Sequence, residues 1–448
     1  MVEKTGSDTK EVVLHREFGG PIGALGLMLF SHVVLYYFWI SQQYYQGALL
    51  MPDSVDDAPA FVQRMINHVK EGAAPTEWAA KVYLGFLAFQ ALLGLILPGI
   101  TVKGLPIVTE NGKSLIYLCN AVTVWWVTLA LVFGLNYTGV FRLSLVADNF
   151  GPLMTSAVLF ADAFSVFLYL FGIVSGKAIR MSGNPIYDFF MGSMLNPRLF
   201  HLDIKMWAEV RMSWILLFLL TASAGAKQFE ETGRISPSLI FMMTAHFLYT
   251  NACAKGEECI PYTFDIFYEK FGWMLIFWNL AGVPFLYCFQ SFYILRNNVE
   301  FENPLGYYAL FFALFTSYYV WDTAQSQKAR FRMQLRGNYK ERWTFPQLPW
   351  GTLQNPQYIK TENGGTLLVD GWFKYARKIY YLADFVMAMT WGLSCGVSGA
   401  LPFFYPLFFG TMLTHRYSRD ISRCKQKYGK DWDKYCQKVP YALIPYVF

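Results

Sequence analysis

The chain has few charged residues for its length. Of its 448 residues, 15% are Asp, Glu, Lys or Arg, whereas 54% are hydrophobic and 19% are aromatic. Soluble domains carry about 25% charged residues, so this composition excludes an ordinary soluble protein and indicates an integral membrane protein. The net charge of +6 suits a surface that binds anionic lipid and one that binds nucleic acid equally well.

Several kinds of motif are missing as well. No glycine-rich dinucleotide fingerprint follows a strand, which excludes a Rossmann domain. The seven cysteines show no metal-ligand spacing with histidine, so we expect no metal site. The apolar runs lack the alternation of a membrane barrel. The first of them is long enough to remain as a helix, so we expect no cleaved signal peptide.

Long apolar runs stand in place of these motifs. A helix needs roughly 20 residues to cross about 30 Å of hydrocarbon, and the runs predict an all-α polytopic membrane protein with about ten transmembrane helices. The last run is too long for one helix and is interpreted as a tight two-helix hairpin. The runs are 18–40, 82–102, 114–141, 149–176, 212–226, 235–254, 271–295, 304–321 and 379–414.

Basic residues concentrate near the carboxyl terminus. Ten of the 37 Lys and Arg lie in 328–378 and eight in 416–438. The positive-inside tendency predicts that both stretches face the cytosol, and an even number of spans places both termini there. We therefore expect a short polar tail (1–17), a membrane scaffold with a substrate pocket (18–324), and a carboxyl-terminal half that binds a cofactor (325–448).

Two charged segments leave their roles open. Residues 183–214 contain two Asn-Pro pairs and are interpreted as a turn-rich loop at the membrane surface. Its charged residues fit a solvated face; they are Asp188, Arg198, Asp203, Lys205, Glu209 and Arg211. Between two predicted helices, Glu257 and Glu258 either act as acids with raised pKa values or pair with Lys255 and cap helices.

The carboxyl-terminal block has the composition of an anion site. Arg416 and Asp420 are four residues apart and share one face of a predicted helix. With nearby Arg, Trp and Tyr side chains, this pair is either structural or part of a site for an anionic, aromatic ligand such as a nicotinamide dinucleotide phosphate.

Seven ordered segments make the chain resemble a known family. It is similar to the sterol reductases, which reduce carbon–carbon double bonds of sterol intermediates with NADPH and include the 14-, 7- and 24(28)-reductases and the membrane part of lamin B receptor. The segments are GNPIYDFFMGSMLNPR, DIFYEKFGWML, VPFLYCFQ, QSQKARFR, LLVDGWFKYARKIYYLADF, HRYSRD and KYGKDWDKYCQKVPYALIPYVF.

Within the family, two stretches most resemble the 24(28)-reductases of ergosterol-type synthesis. They are NACAKGEECIP at 251–261 and FWNLAGVPF at 277–285. Relatives of the other types usually have Gly-Asp where Trp278 and Asn279 stand. The resemblance implies an enzyme of the endoplasmic reticulum membrane. It also implies that the partners of the protein are a sterol and membrane lipid and that it binds no nucleic acid. Association with other enzymes of sterol synthesis is compatible with a location in this membrane.

The resemblance also implies functional residues. It assigns Lys328 and Arg332 to the phosphates of NADPH, and it assigns Tyr249 to the sterol. Two positions, Gln325 and Tyr380, depart from the residues usual in the family. The remaining cofactor residues, in the pocket wall or near the nucleotide, are Trp372, Asp384, Arg416, Asp420 and Tyr435.

The chemistry of the reaction requires an acid. An isolated or diene-type alkene is not electrophilic, so hydride addition needs prior protonation, which for a 24(28) alkene leaves a tertiary cation on carbon 24. We expect Tyr249 to be the proton relay, assisted by Asp420 or Glu258. Aromatic faces such as Trp278, Trp391 or Phe277 are candidates to stabilise the cation.

Three alternatives remain open at this point. A 14-reductase of the same family differs only in the position of the substrate double bond. A membrane methyltransferase also places a basic block after a terminal hairpin and predicts binding of S-adenosylmethionine. A non-enzymatic sterol sensor, transporter or scaffold would have no need to keep the cofactor-binding residues that this sequence contains.

Overall fold

The computed structural model describes residues 16–107, 112–301, 303–337, 339 and 344–447. All of the predicted polar tail except its last two residues lies outside this set. In the described part, long helices form most of the structure, and three short antiparallel hairpins join them. The prediction of a helical protein is therefore confirmed, although its wholly helical character is not.

The helices are α1 (Gly20–Tyr44), α2 (Ala58–Gly72), α3 (Glu77–Ile96), α4 (Ala121–Tyr137), α5 (Ser144–Asp148), α6 (Phe150–Val174), α7 (Pro185–Met191), α8 (Ile204–Thr232), α9 (Pro237–Lys255), α10 (Phe264–Phe267), α11 (Trp273–Asn297), α12 (Pro304–Leu335), α13 (Ile379–Leu393), α14 (Phe404–Tyr428) and α15 (Lys430–Lys438). The strands are β1 (Ile100–Ile107), β2 (Lys113–Cys119), β3 (Arg198–Leu199), β4 (Leu202–Asp203), β5 (Tyr358–Lys360) and β6 (Thr366–Leu368). Each odd-numbered strand pairs with the next.

Five helices of the described chain are long and apolar enough to cross a membrane: α1, α3, α6, α8 and α11. Helices α4 and α13 are shorter and also apolar. Each predicted apolar run contains a helix, because run length is a local property of the sequence. This set of helices is consistent with a polytopic helical membrane protein. The number of ten spans stays a prediction.

The predicted spans 82–102 and 114–141 are wrong at the ends that face each other. There the chain forms β1 and β2, paired from Ile100 opposite Cys119 onward, with a bulge between Lys103 and Pro106. Pro98 follows the end of α3 directly. Since proline disfavours helix for the residue before it, and the β-branched residues that follow favour strands, an apolar run continues here without continuing as helix.

The interpretation of 183–214 as a surface loop with a solvated charged face is also wrong, because Asp188 in its first half is buried and its second half begins a helix. Helix α8 begins at Ile204, and the side chains of Lys205 and Arg211 are fully buried. The Lys205 ammonium donates hydrogen bonds to the carbonyl oxygens of Asp265, Ile266 and Glu269 at 2.7, 2.9 and 2.7 Å. These three acceptors explain how a lysine is tolerated there.

Arg211 forms a buried ion pair with Glu257. Its Nη1 lies 2.8 Å from Glu257 Oε1, and both side chains are 1% exposed. Arg211 also donates to Asn120. The second carboxylate oxygen of Glu257 accepts the Ala121 backbone N–H at 2.7 Å, at the amino terminus of α4, where negative charge is favourable. The pair thus joins α4, α8 and the turn after α9.

We expect Arg211→Met to lower the free energy of unfolding by about 3–5 kcal/mol, because it leaves the Glu257 carboxylate buried without its cation. Thermal unfolding of the detergent-solubilised protein measures the effect. Adding Glu257→Gln should restore part of the stability, since the amide is neutral. Unchanged stability in the single variant would show that the pair does not support the fold.

One group of charged side chains lies at the end of the helical bundle where α8 begins, which we call the polar end. Arg419 of α14 pairs with Glu17, just before α1, and Arg416 approaches Asp265 at 3.8 Å. Lys255, at the last residue of α9, pairs with Asp322 at 2.8 Å. These contacts place the beginnings of α1, α8 and α13 and the ends of α9, α12 and α14 at the same end.

Candidate functional site

Tyr249 of α9 sits inside a cage of tryptophans. Its ring centroid lies 4.6 Å from that of Trp214 on α8 and 5.0 Å from that of Trp321 on α12, which is nearly parallel to it at 22°. Trp391 of α13 approaches edge-on at 6.0 Å. Four helices therefore converge on one tyrosine, whose ring orientation is determined by packing.

A carboxyl group shares this space. Asp384 of α13 is close enough to Tyr249 to interact with it electrostatically. Both Asp384 and Tyr249 lie deep among protein atoms, yet both keep accessible surface. We call the region enclosed by Tyr249, Asp384 and the three tryptophans the cavity, and its role as a substrate pocket stays a prediction. An apolar cavity with a few convergent polar groups is the usual form of a small-molecule site.

More aromatic rings extend the wall of the cavity. Tyr405 of α14 stacks on Trp391 with centroids 4.8 Å apart and planes 11° apart, and Tyr287 lies 4.6 Å from Tyr405. Trp391 therefore belongs to this aromatic group, and its role in stabilising a cation stays a prediction. Phe277 instead packs against Trp273 at 4.5 Å.

Towards the polar end lies a second group, which we call the basic cluster: Lys328, Lys378, Tyr380, Asp420 and Arg423. The Lys328 ammonium donates to the Tyr380 hydroxyl at 3.2 Å. The Lys378 ammonium pairs with Asp420 at 2.5 Å, and the Arg423 guanidinium lies 3.8 Å from the same carboxylate. Two cations therefore contact one carboxylate, and a third contacts the neighbouring Tyr380.

Two ionisable groups of the basic cluster are held charged by each other. Burial by itself would raise the pKa of Asp420, but the nearby Lys378 lowers it below its ordinary value. Burial would likewise lower the pKa of Lys378, yet Tyr380 and Asp420 raise it. The ion pair therefore persists at neutral pH and is lost only when acidification protonates Asp420.

The basic cluster fits the phosphates of a dinucleotide. Lys328 has three ammonium donors, and its hydrogen bond to Tyr380 uses one of them. Arg416, half exposed, approaches Asp265 only at 3.8 Å, and Arg332 is exposed one turn beyond Lys328 on α12. Cations with donors to spare beside a single carboxylate are the composition that binds polyphosphates.

Trp372 and Tyr435 flank this group in different ways. The Trp372 indole N–H donates to Thr323 at 2.8 Å, and its backbone N–H donates to Gln327 at 2.9 Å. Its ring keeps accessible surface, as a wall residue requires. Tyr435 is buried against Val369, Trp432 and Val439, which fastens α15 to the strand pair β5–β6. Its proposed contact with the nucleotide stays a prediction.

The contacts in the structure place the residues that sequence reasoning had joined in different groups, and assistance of Tyr249 by Asp420 or Glu258 stays a prediction. Asp420, expected to assist Tyr249, lies in the basic cluster. Glu258 lies in the 3₁₀ turn Glu257–Tyr262 that follows α9. The carboxyl group that interacts with Tyr249 is Asp384, which had been assigned to the pocket wall.

Sequence reasoning missed Trp214, Trp321 and Lys378. One signal was available for the link between the two groups. Tyr380 and Asp384 are four residues apart on α13, a spacing that places both on one helix face. This face joins the basic cluster to the cavity.

If Lys328 and Arg332 bind the phosphates of NADPH, as the resemblance implies, replacing both by Ala should raise KM for NADPH about 10-fold to 100-fold with a smaller change in kcat, because the lost contacts are made before the chemical step. Initial rates over a range of NADPH concentrations measure this. Lys360→Ala with Lys438→Ala removes the same charge from exposed positions and should leave KM unchanged. An unaltered KM in the first variant would place the phosphates elsewhere.

The described residues form a helical protein with five candidate membrane spans, an aromatic group around Tyr249 and a basic cluster. Residues 13–448 match the family described as "Ergosterol biosynthesis ERG4/ERG24 family". The chain belongs to this family of sterol reductases, so the resemblance found in the sequence is confirmed. Membership implies an oxidoreductase that reduces a carbon–carbon double bond of a sterol.

Curated relatives carry two names within this family. The chain is 43% identical to the Delta(24(24(1)))-sterol reductase erg4A of Aspergillus fumigatus over 99% of its own length and 94% of the relative's. It is 44% identical to the Delta(24(24(1)))-sterol reductase of Gibberella zeae over 96% and 73% of the two lengths. It is 35% identical to the Delta(14)-sterol reductase of Dictyostelium discoideum over 98% and 93%.

Proposed function

We propose that this protein uses NADPH to reduce the 24(28) double bond of a sterol intermediate in ergosterol-type synthesis, in the endoplasmic reticulum membrane. The relatives named Delta(24(24(1))), the same bond in another carbon numbering, support the bond position, at 43% and 44% identity against 35% for the Dictyostelium Delta(14) relative. The observation that carries the chemistry is the interaction of Tyr249 with Asp384 inside the tryptophan cage.

The first step is protonation of the alkene. The Tyr249 hydroxyl gives its proton to the terminal methylene carbon, and the cation forms on carbon 24. A phenol is a weak acid near neutral pH, so Asp384 assists by exchanging a proton with Tyr249. The faces of Trp214, Trp321 and Trp391 stabilise the positive charge, and the apolar wall keeps out the water that would capture it.

The second step adds hydride to carbon 24, which is the chemistry that NADPH supplies when it is bound. Lys328, Arg332 and Arg416 would hold its phosphates, and Trp372 would form part of the pocket wall. Lys378 keeps Asp420 ionised and in place. Since Tyr380 and Asp384 share one face of α13, this helix sets the distance between the phosphate-binding group and the cavity.

Conversion of two sterols by the purified protein tests the proposal. A 24(28)-unsaturated sterol and a 14-unsaturated sterol are each incubated with NADPH, with NADH as the cofactor control, and products are followed by mass spectrometry. Reduction of only the 24(28) substrate supports the proposal. Reduction of neither sterol would contradict it and favour a sterol sensor or transporter.

A 14-reductase is the second candidate. The 35% identity to the Dictyostelium Delta(14)-sterol reductase over nearly the whole chain favours it, and the same pair of reactions decides between the two. Reduction of only the 14-unsaturated sterol would make this assignment the correct one. Membership of the sterol reductase family leaves the methyltransferase alternative without support.

A further inference from the structure

The proposed reaction consumes one proton in each turnover, and the donor sits in a cavity that must stay dry. Tyr249 gives up a proton whenever an alkene is reduced, so a proton has to return from the aqueous surface before the next substrate reacts. The following inference rests on the proposed function and concerns the route of that proton.

Glu209 of α8 has an oxygen atom without a partner. Its Oε2 is buried and accepts no hydrogen bond from any described residue, although the side chain as a whole keeps accessible surface. A carboxylate oxygen left unpaired in this way costs free energy, and such groups in native structures have a functional reason or an associated water. Lys205, its near neighbour, is already bonded to three carbonyl oxygens.

On its inner side, Glu209 lies five residues before Trp214 in the π-helical stretch of α8, so both side chains share the face that packs against Tyr249. The Cys253 thiol interacts electrostatically with both Asp384 and Glu209, and Cys253 lies four residues after Tyr249 on α9. Asp384 in turn interacts with Tyr249. Cys253 thus has both carboxyl groups in its electrostatic neighbourhood.

The local helix geometry supports this placement. Residues Ala208–Ile215 of α8 form a π-helical stretch, and such wide turns are frequent at functional sites. The same stretch carries Trp214, which packs against Tyr249 at 4.6 Å. One irregular segment thus presents both a wall of the cage and Glu209.

On its outer side, Glu209 faces the polar end. It lies four residues after Lys205, whose ammonium binds the Asp265 carbonyl oxygen at 2.7 Å, and the Asp265 and Arg416 side chains are 36% and 54% exposed and lie 3.8 Å apart. The other charged groups that face it are Lys205 and Asp203. Asp203 is buried, and its carboxylate accepts the Met206 N–H and an Asn196 N–H. The accessible neighbours are thus Asp265 and Arg416.

We propose that Glu209 returns protons from the surface at Asp265 and Arg416 to the Asp384–Tyr249 pair. A hydronium ion protonates the Glu209 carboxylate. The O–H bond of Glu209 then breaks as an O–H bond forms on a bridging water, which passes its own proton to Asp384 and so to the Tyr249 phenolate. One proton enters for each bond reduced. Glu209 acts through Asp384 and does not touch the sterol.

Comparing the first turnover with steady-state turnover tests this role. In Glu209→Gln, a single turnover with enzyme in excess should proceed within about twofold of the parent rate, because Tyr249 is already protonated. Steady-state kcat should fall about 10-fold to 100-fold, within the range typical of acid–base groups, and its solvent isotope effect should rise. Glu209→Asp should recover part of the rate.

The matched control is Glu231→Gln, at the opposite end of the same helix, where Glu231 is half exposed and pairs with Lys227. It should change neither rate. Equal loss in single-turnover and steady-state rates of Glu209→Gln would overturn the proposal, and so would no loss in either. If the parent protein reduces neither sterol, the proposed function fails. If the parent protein is active and Glu209→Gln is unaffected, only the proposal about proton return fails.

Chemical rescue provides a second measurement that does not depend on an unperturbed fold. Glu209→Ala opens space beside Cys253, and added formic acid should restore its steady-state rate in proportion to concentration. It should not restore Tyr249→Phe, which lacks the donor. A steady-state defect in Glu209→Ala that formic acid leaves unchanged would count against proton transfer at this position.

Discussion

Tyr249→Phe should lower kcat for sterol reduction about 10²-fold to 10⁴-fold, the range expected when a general acid is removed. The phenyl ring keeps the contacts with Trp214, Trp321 and Trp391, so the cage and the cofactor affinity should survive. Only the transferable proton is lost. Single-turnover rates of the purified variant, together with NADPH binding by fluorescence, measure the two properties separately.

A matched control exists in Tyr83→Phe. The Tyr83 hydroxyl is also buried and donates to the Leu280 carbonyl oxygen at 2.9 Å, outside the cage. Its loss should lower the free energy of unfolding by about 1 kcal/mol and leave kcat nearly unchanged. If Tyr249→Phe turned over as fast as the parent, the proton would have to come from another group, and Asp384 would be the first to examine.

Asp384→Asn should reduce kcat about 10²-fold with little change in KM for NADPH, since an amide keeps the shape of the carboxyl group but cannot exchange a proton with Tyr249.

Asp420→Asn should have its larger effect on KM for NADPH instead of on kcat. It leaves Lys378, only 11% exposed, without its carboxylate, so the basic cluster rearranges and KM for NADPH changes more than kcat does. Steady-state kinetics with varied NADPH compare the two variants directly.

This pair of variants separates two assignments of the assisting carboxyl group. Sequence reasoning named Asp420 or Glu258, whereas the interaction with Tyr249 belongs to Asp384. A large kcat loss in Asp420→Asn with normal kcat in Asp384→Asn would favour the first assignment. Glu258→Gln completes the comparison, because a kcat loss confined to it would place the proton path in the turn after α9.

Much of the architecture was predictable because it depends on local properties. A run of apolar residues long enough to cross a bilayer is visible without any knowledge of its neighbours, and helices α1, α6 and α11 lie close to their predicted runs. The error at β1 and β2 has a local cause as well. Hydropathy does not distinguish an apolar strand from an apolar helix, and the Pro98–Gly99 break that separates them here is short.

The burial of Lys205 and Arg211 was beyond the reach of sequence reasoning. A lysine and an arginine near an apolar run are expected to reach the membrane surface. Here the acceptors of Lys205 lie about 60 residues away, at Asp265 and beyond, and the partner of Arg211 is Glu257. Only the packing of α8 against the turns after α9 brings these groups together.

The sequence by itself determined the membrane class, most of the helices and the residue types of the site, because composition, run length and short motifs are properties of contiguous residues. The tertiary structure decided which carboxyl group interacts with Tyr249, which cations surround Asp420, and where Glu209 faces. The physical reason is that electrostatic interaction and proton transfer depend on distances of a few ångströms. Those distances are set by how α8, α9, α12 and α13 pack, and no single segment contains that information.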